Sequence, residues 1–125
     1  TTSWDFGWHA DLPSRPGFDT LLQALDWVLL NEREALHYAG AATLAEARRR
    51  WLALARGVVI KQGARGAAAA AGGCWLREPA PRVRVVDTTG AGDAFNGGFL
   101  ASLLAGGSVA AATRNGARVG TLSTR

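Results

Sequence analysis

The sequence predicts an α/β sandwich, because strand-like and helix-like segments alternate along the 125-residue chain. Three observations support this prediction. Aliphatic runs at residues 25–30 and 57–61 have the length and composition of buried strands. The segment after Thr43 has the apolar spacing of an amphipathic helix. A glycine-rich turn at residues 88–92 links a strand-like run to an apolar helical segment.

The first half of the chain is predicted to contain one buried strand and three helices. In chain order these are a helix near residues 17–24, the strand at 25–30, a short helix at about 32–38 and a helix that opens at Thr43. Thr43 and Glu46 have the spacing of a capping box. The apolar face of the helix that follows is predicted to run through Leu44, Ala47, Trp51 and Leu54.

The second half is predicted to contain three strands followed by two helices. These are strands at 57–61, about 67–76 and 82–86, a helix at 94–104 and a last helix capped by Ser108. Pro79 and Pro81 separate the second of these strands from the third. Cys74 is expected to be a buried small hydrophobic residue within a strand. The small and apolar face of the last helix is predicted to contain Val109, Ala112, Gly116 and Val119.

The segment at residues 87–98 reads Asp-Thr-Thr-Gly-Ala-Gly-Asp-Ala-Phe-Asn-Gly-Gly and predicts an anion-binding turn. Gly90 and Gly92 tolerate positive φ, so successive N–H groups can point into one concavity at a helix N-terminus. Asp93 follows the turn directly, where a carboxylate can orient a hydroxyl group and remove its proton. Together the turn and the acid predict phosphoryl transfer to an alcohol. A purely structural glycine turn is the alternative interpretation.

The same segment resembles the C-terminal signature of the ribokinase-like, or PfkB-type, carbohydrate kinases. The resemblance implies a three-layer sandwich in which the chain forms the C-terminal portion of a mostly parallel central sheet flanked by helices. It also implies that Gly90, Ala91 and Gly92 form an anion hole for the transferring phosphoryl group. Under the same resemblance, Asp93 is the catalytic base.

Other phosphate-binding, kinase and metal motifs fit the sequence less well. A Walker loop needs Gly-Lys-Ser/Thr, which is absent, and the dinucleotide fingerprint needs a glycine where Phe95 stands. Residues 5–7 spell the Asp-Phe-Gly triplet of protein kinases, but the companion motifs of that family are absent. His9 and His37 lack the carboxylate-rich spacing of a metal site, so neither is assigned to a metal.

Residues 31–34, Asn-Glu-Arg-Glu, follow the strand predicted at 25–30, at the end of the strand where α/β ligand sites form. They resemble the family's Asn-x-x-Glu motif. The resemblance implies that Asn31 approaches the nucleotide phosphates and that Glu34 helps to hold Mg²⁺ through water, and such ligands suit an ion that keeps much of its hydration. The alternative interpretation is structural, with Asn31 as an N-cap and Glu34 completing a capping box.

The segment at residues 57–66 runs from a strand into a Gly-x-x-Gly turn and resembles the family's nucleotide-side loop. The resemblance implies that Gly63 and Gly66 contact ATP, and Asn96 of the signature is assigned to the same nucleotide site. Lys61, the only lysine in the chain, stands where many relatives carry Thr. It could meet a phosphate group as a point charge, or it could be a solvated lysine at a strand end.

The resemblance also implies a monovalent-cation site beside the anion hole. Asp87 and the carbonyl group of Thr89 match two of its ligands, and K⁺ is the ion expected there. The remaining ligands of such a site would lie at or beyond Arg125. Asp87 is equally compatible with a turn role, in which its side chain bonds the backbone two positions further on.

Composition and charge argue against several other classes of protein. The chain is 48% hydrophobic and carries a net charge of +4, which is typical of a globular protein with weak affinity for anions. The arginines at residues 48–50 cannot form one flat nucleic-acid surface, because consecutive helical residues point about 100° apart. No segment has the length and apolarity of a membrane span, so a cytoplasmic location is the default expectation. A single cysteine excludes an internal disulfide.

The sequence therefore predicts an ATP-dependent kinase that uses Mg²⁺ and phosphorylates a hydroxyl group of a sugar or sugar-like molecule. Because the resemblance covers the C-terminal half of that family, residues 1–125 are expected to be a fragment, inactive alone, of a parent that acts by itself or as a homodimer. The expected partner is a small-molecule sugar substrate, with no nucleic acid and no membrane. A nucleotide- or phosphate-binding module without turnover is the alternative hypothesis.

Overall fold

The computed structural model describes residues 1–125, which form a five-stranded sheet flanked by helices. The strands are β1 Ser3–Asp5, β2 Trp27–Asn31, β3 Gly57–Lys61, β4 Ala67–Ala71 and β5 Cys74–Glu78. The α-helices are α1 Phe18–Ala24, α2 Glu32–Ala39, α3 Leu44–Leu54, α4 Ala91–Leu104 and α5 Val109–Leu122, and short 3₁₀ turns occupy Leu12–Ser14 and Gly63–Arg65. This alternation confirms the predicted α/β class. None of the helices has the length and apolar character needed to cross a membrane.

The strands are hydrogen-bonded to one another in chain order, from β1 to β5. β1 and β2 run parallel, with Ser3 opposite Trp27, and α1 lies between them in the chain. Gly72 and Gly73 alone join β4 to β5, and both have positive φ. A two-residue connection joins only antiparallel strands, so the sheet is mixed.

The chain divides into two compact units, of which the first comprises Thr1–Ile60 and Ala70–Cys74. Four consecutive residues are buried in β2 and four in β3, which explains why these strands are continuous apolar runs. α2 packs against α3 in this unit. Trp51 of α3 donates from Nε1 to the carbonyl oxygen of Ala35, 3.0 Å away, so the buried indole keeps a hydrogen-bond partner.

The second unit comprises Lys61–Ala69 and Trp75–Arg125, and α4 packs against α5 along much of its length. Glycine sets how closely the two helices approach. A Cβ atom at Gly116 would lie 3.0 Å from both the ring and the carbonyl oxygen of Phe95, which is closer than ordinary van der Waals contact. The absence of a side chain at Gly116 therefore allows the close packing that the sequence suggested.

Two strand predictions are wrong. Residues 82–86 form no strand, and the strand predicted at 67–76 is the hairpin of β4 and β5. Alternating valines favour an extended backbone, but a strand also needs a neighbouring strand as a hydrogen-bonding partner. Val86 instead donates its N–H group to the carbonyl oxygen of Thr124, at 2.7 Å. The hairpin arises because the Gly72-Gly73 pair supplies the positive φ values of a tight turn.

Two burial predictions also need correction. Cys74 is exposed rather than buried, because it is the first residue of β5, directly after the glycine link. In α5, Ala112 and Gly116 are buried as predicted, whereas Val119 is exposed and Gly120 is buried instead. At the C-terminal end of α5, the buried face therefore includes Gly120 instead of the predicted Val119.

Candidate functional site

A cavity of about 430 Å³ lies within the second unit. Its walls come from the loop after β3, the segment between β5 and α4, the first turn of α4 and the last turns of α5. The lining residues are Lys61, Gly63, Ala64, Gly66, Ala80, Pro81, Arg82, Val83, Val85, Thr88, Ala91, Gly92, Phe95, Ala117, Gly120, Thr121 and Thr124. The cavity therefore brings together predicted site residues from two separate parts of the sequence: Lys61, Gly63 and Gly66 with Ala91 and Gly92.

The glycine turn lies at the N-terminus of α4, as predicted, although the helix begins at Ala91 rather than at residue 94. Gly90 is the N-cap with a φ of +76°, and no side chain caps the helix. The N–H group of Ala91 bonds the carbonyl oxygen of Thr88, at 3.2 Å. The N–H groups of Gly92 and Asp93 precede the first intrahelical hydrogen bond. Free N–H groups and the positive end of the helix dipole attract anions to such a position.

Asp93 is the third residue of α4, and its side chain is exposed. The helix dipole favours a negative charge in the first turn of a helix, so the position suits a carboxylate. Asp93 does not line the cavity, although its neighbour Gly92 does. The exposure leaves the carboxylate accessible to a ligand at the start of the helix.

The side chain of Asp87 bonds the backbone two residues further on, which is the turn role that the sequence offered as the alternative to cation binding. Its Oδ1 atom accepts from the N–H group of Thr89, at 2.8 Å. This hydrogen bond favours the charged carboxylate and lowers the pKa of Asp87 below its usual range. The N–H group of Asp87 bonds the carbonyl oxygen of Thr124, at 3.2 Å, and so ties the segment before α4 to the residues after α5.

Lys61 and Asn96, two of the residues assigned to the nucleotide site, are in direct contact. The Nζ atom of Lys61 donates to Oδ1 of Asn96, at 3.1 Å. Lys61 is half-buried and lines the cavity, so it is not the fully solvated lysine of the alternative interpretation.

Gly63 begins the 3₁₀ turn after β3 and Gly66 directly follows it, with φ values of +59° and +94°. A Cβ atom at Gly66 would lie 2.0 Å from the carbonyl oxygen of Glu78, so only glycine fits there. A Cβ atom at Gly63 would meet no atom within 4 Å. Gly66 is thus required by the fold itself, whereas Gly63 leaves open space on the side that a ligand could occupy.

Asn31 and Glu34 lie in the first unit and form the reciprocal capping box of α2. Oδ1 of Asn31 accepts from the N–H group of Glu34 at 2.8 Å, and Oε2 of Glu34 accepts from the N–H group of Asn31 at 2.9 Å. The structural interpretation of this motif is therefore confirmed. The box leaves Oε1 of the buried Glu34 and the amide nitrogen of Asn31 unused. Residues 1–125 contain no group of three or more His, Cys, Asp or Glu side chains that could hold a metal ion.

The contribution of α5 to the cavity was not predicted from the sequence. Ala117, Gly120, Thr121 and Thr124 line it. A Cβ atom at Gly120 would lie 2.9 Å from the carbonyl oxygen of Ala91, in the first turn of α4. The available signal was the spacing of Gly116 and Gly120, which places two small residues on one helix face.

Comparisons with known proteins bear on the family and the fold of the chain. The model of the pfkB family carbohydrate kinases matches residues 3–125. The chain is 33% identical over 111 residues to the ribokinase of Bacillus subtilis strain 168, which corresponds to 89% of this chain and 37% of that protein. The chain therefore spans little more than a third of the length of this relative.

Solved structures of sugar and nucleoside kinases share the fold. Aminoimidazole riboside kinase from Salmonella enterica matches with a TM-score of 0.84 and 27% identity, over 98% of this chain and 45% of that one. Ribokinase from Arabidopsis thaliana, solved with ribose and ATP, matches with a TM-score of 0.83 and 28% identity, over 98% of this chain and 40% of that one. With the family match along almost the whole sequence, these similarities show that the chain belongs to the pfkB family of carbohydrate kinases.

Proposed function

We propose that a kinase containing this segment transfers the terminal phosphoryl group of ATP to a hydroxyl group of a sugar or sugar-like molecule. One observation carries the proposal: a single cavity is lined by the start of α4 and by the loop after β3. The start of α4 offers N–H groups to an anion. The end of β3 and the loop after it offer the ammonium group of Lys61 and the open space beside Gly63. Family membership and the ribose and ATP bound by the Arabidopsis ribokinase support the same assignment.

The glycine turn and Asp93 have separate roles in this proposal. The backbone of Gly90, Ala91 and Gly92 holds the transferring phosphoryl group and stabilises its developing charge. Asp93 accepts the proton of the acceptor hydroxyl group as the new O–P bond forms and the bond to the leaving ADP breaks. The exposed position of the carboxylate, in the turn of helix that the anion would meet, supports this role.

Nucleotide and metal binding are assigned to the remaining candidates. Gly63 and Gly66 contact the nucleoside, and Lys61 provides positive charge to the phosphates. Asn31 approaches the phosphates with its side-chain amide nitrogen, which the capping box does not use. Oε1 of Glu34, which the capping box leaves unused, fits a water-mediated contact to Mg²⁺, an ion that takes few protein ligands and neutralises phosphate charge when it is bound.

The proposed K⁺ site would use Asp87 and the carbonyl group of Thr89. The hydrogen bond from the Thr89 N–H group is made to one carboxylate oxygen of Asp87, Oδ1. The same bond keeps the carboxylate charged, which suits a cation ligand.

A nucleotide-binding module without turnover is the second candidate. It is favoured by one observation: Asp93, the proposed base, does not line the cavity. Both candidates require the cavity to bind nucleotide. They differ in whether phosphate reaches an acceptor.

The substitution Asp93→Asn, in a full-length kinase that contains this segment, tests the proposed function. Asparagine keeps the size and hydrogen-bonding reach of aspartate but cannot accept the proton, so turnover is expected to fall by roughly 10²-fold or more while ATP affinity is preserved. Steady-state kinetics with a sugar acceptor and calorimetric ATP binding measure the two quantities.

Asp19→Asn is the matched control, because Asp19 is also an exposed aspartate in the first turn of a helix. It is expected to leave turnover unchanged. Near-normal turnover of Asp93→Asn would exclude Asp93 as the base. ATP binding without any phosphoryl transfer by the wild-type protein would favour the binding module.

A further inference from the structure

An ion pair joins the end of β5 to α5 in the second unit. Nε of Arg114 donates to Oε2 of Glu78 at 3.1 Å, and Nη2 donates to Oε1 at 3.0 Å. Two such hydrogen bonds fix the orientation of the side chains as well as their distance. Only 14% of the Glu78 side chain is exposed, against 68% of the Arg114 side chain. A mostly buried carboxylate therefore orients a guanidinium group that is largely in solvent.

Both residues adjoin walls of the cavity without lining it. The backbone carbonyl oxygen of Glu78 lies against the loop after β3, where a Cβ atom at Gly66 would be 2.0 Å away. Just after Glu78 the chain lines the cavity, between residues 80 and 85. Arg114 precedes the lining residue Ala117 by three positions, which places both on one face of α5. The pair therefore ties the wall formed after β5 to the wall formed by α5.

The pair lies away from the glycine turn. The C-terminal part of α5 packs on the start of α4, since a Cβ atom at Gly120 would be 2.9 Å from the carbonyl oxygen of Ala91. Arg114 precedes Gly120 by almost two helical turns, or about 9 Å along the helix axis. Glu78 lies against Gly66, in the loop that is proposed to contact the nucleoside. The ion pair is thus at the nucleoside end of the cavity rather than at the anion end.

A separate contact holds the anion end. The N–H groups of Val86 and Asp87 donate to the carbonyl oxygen of Thr124, at 2.7 and 3.2 Å. These are backbone hydrogen bonds, so they do not depend on a charged side chain. The segment between β5 and α4 is therefore tied to the α5 region at both ends, and a change at Glu78 acts on one end alone.

We propose that Glu78 and Arg114 are positioning residues for the nucleoside part of the nucleotide. In this proposal, which rests on the proposed function, their ion pair holds the wall after β5 against α5 and so fixes the space beside Gly63 and Gly66. Neither side chain contacts the nucleotide. Loss of the pair loosens the nucleoside end of the cavity and leaves the start of α4 able to bind phosphate.

ATP and inorganic tripolyphosphate distinguish the two ends, because tripolyphosphate has the phosphates without the nucleoside. Calorimetry measures the binding of each, with excess Mg²⁺, to the wild-type chain, Glu78→Gln and Arg114→Gln. An ion pair with one exposed partner contributes at most about fivefold to an equilibrium. We expect both variants to weaken ATP binding by about three- to fivefold and tripolyphosphate binding by less than about twofold. The two variants change the net charge in opposite directions, so a shared loss does not come from long-range attraction of the anion.

Exchanging the two charges tests whether the pair itself is required. Glu78→Arg and Arg114→Glu each place two like charges together, so each alone should weaken ATP binding at least as much as the neutral variants. The double variant restores an ion pair between β5 and α5. We expect its ATP affinity to return to within about twofold of the wild type.

Asp11→Asn is the matched control. Asp11 accepts from Nη2 of Arg15 at 2.7 Å, in an exposed ion pair of the first unit. The substitution removes an arginine–carboxylate pair and changes the net charge exactly as Glu78→Gln does. It is expected to leave the affinities for ATP and for tripolyphosphate unchanged.

The Nε–H group of Arg114 reports on the ion pair without any nucleotide. A hydrogen-bonded Nε–H group exchanges with water more slowly than a free one, so its NMR signal should be visible in the wild type and weakened in Glu78→Gln. Its absence from Arg114→Gln assigns the signal. An Arg114 signal that is the same in the wild type and in Glu78→Gln would overturn the proposal.

Three binding results would overturn the proposal while the proposed function stands. These are opposite or negligible changes of ATP affinity in the two neutral variants, equal losses for ATP and tripolyphosphate, and a charge-exchanged variant no better than its single parents. A wild-type chain that shows the Arg114 signal but binds neither ligand would contradict the proposed function instead, and the positioning role with it.

Discussion

Asp87 and Asp93 flank the same glycine turn, yet their surroundings differ. Asp87 holds the N–H group of Thr89, whereas Asp93 is exposed in the first turn of α4. The first carboxylate therefore shapes the turn, and the second remains available for chemistry. Local spacing made the turn bond of Asp87 and the helix-start position of Asp93 predictable from the sequence, because both depend only on neighbouring residues.

The pKa of Asp87 provides a test at this scale. Because the folded-state pKa is lowered, the hydrogen bond contributes stability above the unfolded-state pKa of about 3.9, and this contribution is lost as the pH falls through the folded-state pKa. We expect the Thr89 amide signal in NMR to titrate with a midpoint below 3.9. Asp87→Asn keeps the acceptor oxygen and should abolish this titration. A midpoint at or above 3.9 would show that the bond does not favour the carboxylate.

At the scale of elements, the packing of α4 on α5 fixes the geometry of the site. Buried glycines of α5 lie against Phe95 and against Ala91, so the start of α4 is held by close backbone contacts. The spacing of small residues predicted a closely packed last helix. It did not predict that this helix lines a cavity, because a small residue indicates close approach but does not identify what approaches.

Gly116→Ala and Gly97→Ala form a matched pair that tests this packing. Both replace glycine within a helix, which by itself favours the helix by up to about 1 kcal/mol. A Cβ atom at Gly97 would meet nothing within 4 Å, so this variant should gain stability. At Gly116 the new atom would overlap Phe95, and overpacking should cost about 1–3 kcal/mol in the free energy of unfolding. Urea denaturation measures both, and equal stability changes would contradict the packing described.

The errors in the strand predictions have the same physical origin. The valines at residues 82–86 indicate an extended backbone, but the hydrogen-bonding partner of such a segment lies elsewhere in the sequence. Cys74 lies in a strand, as predicted, but it is exposed rather than buried. Its burial could not be predicted, since burial depends on which face of the strand a neighbouring element covers. Helix caps and glycine turns were predictable because both are local.

At the scale of the whole molecule, the sequence predicted the family and the α/β class, and it identified two walls of one cavity. The signature at residues 87–98 marked the start of α4, and the Gly-x-x-Gly turn marked the loop after β3. The lining from α5 and from residues 80–85 was not predicted, because those residues belong to neither motif. The proposed function requires the two marked walls to bind one nucleotide.

A titration of the ¹⁵N-labelled chain with ATP and Mg²⁺, followed by amide chemical shifts, tests this claim most directly. We predict that the amides of Gly63, Gly66, Ala91 and Gly92 shift together and saturate with a single dissociation constant. Gly97→Ala, a substitution into open space outside the cavity lining, should leave that constant unchanged. Shifts confined to one of the two walls, or different dissociation constants for the two, would contradict the account.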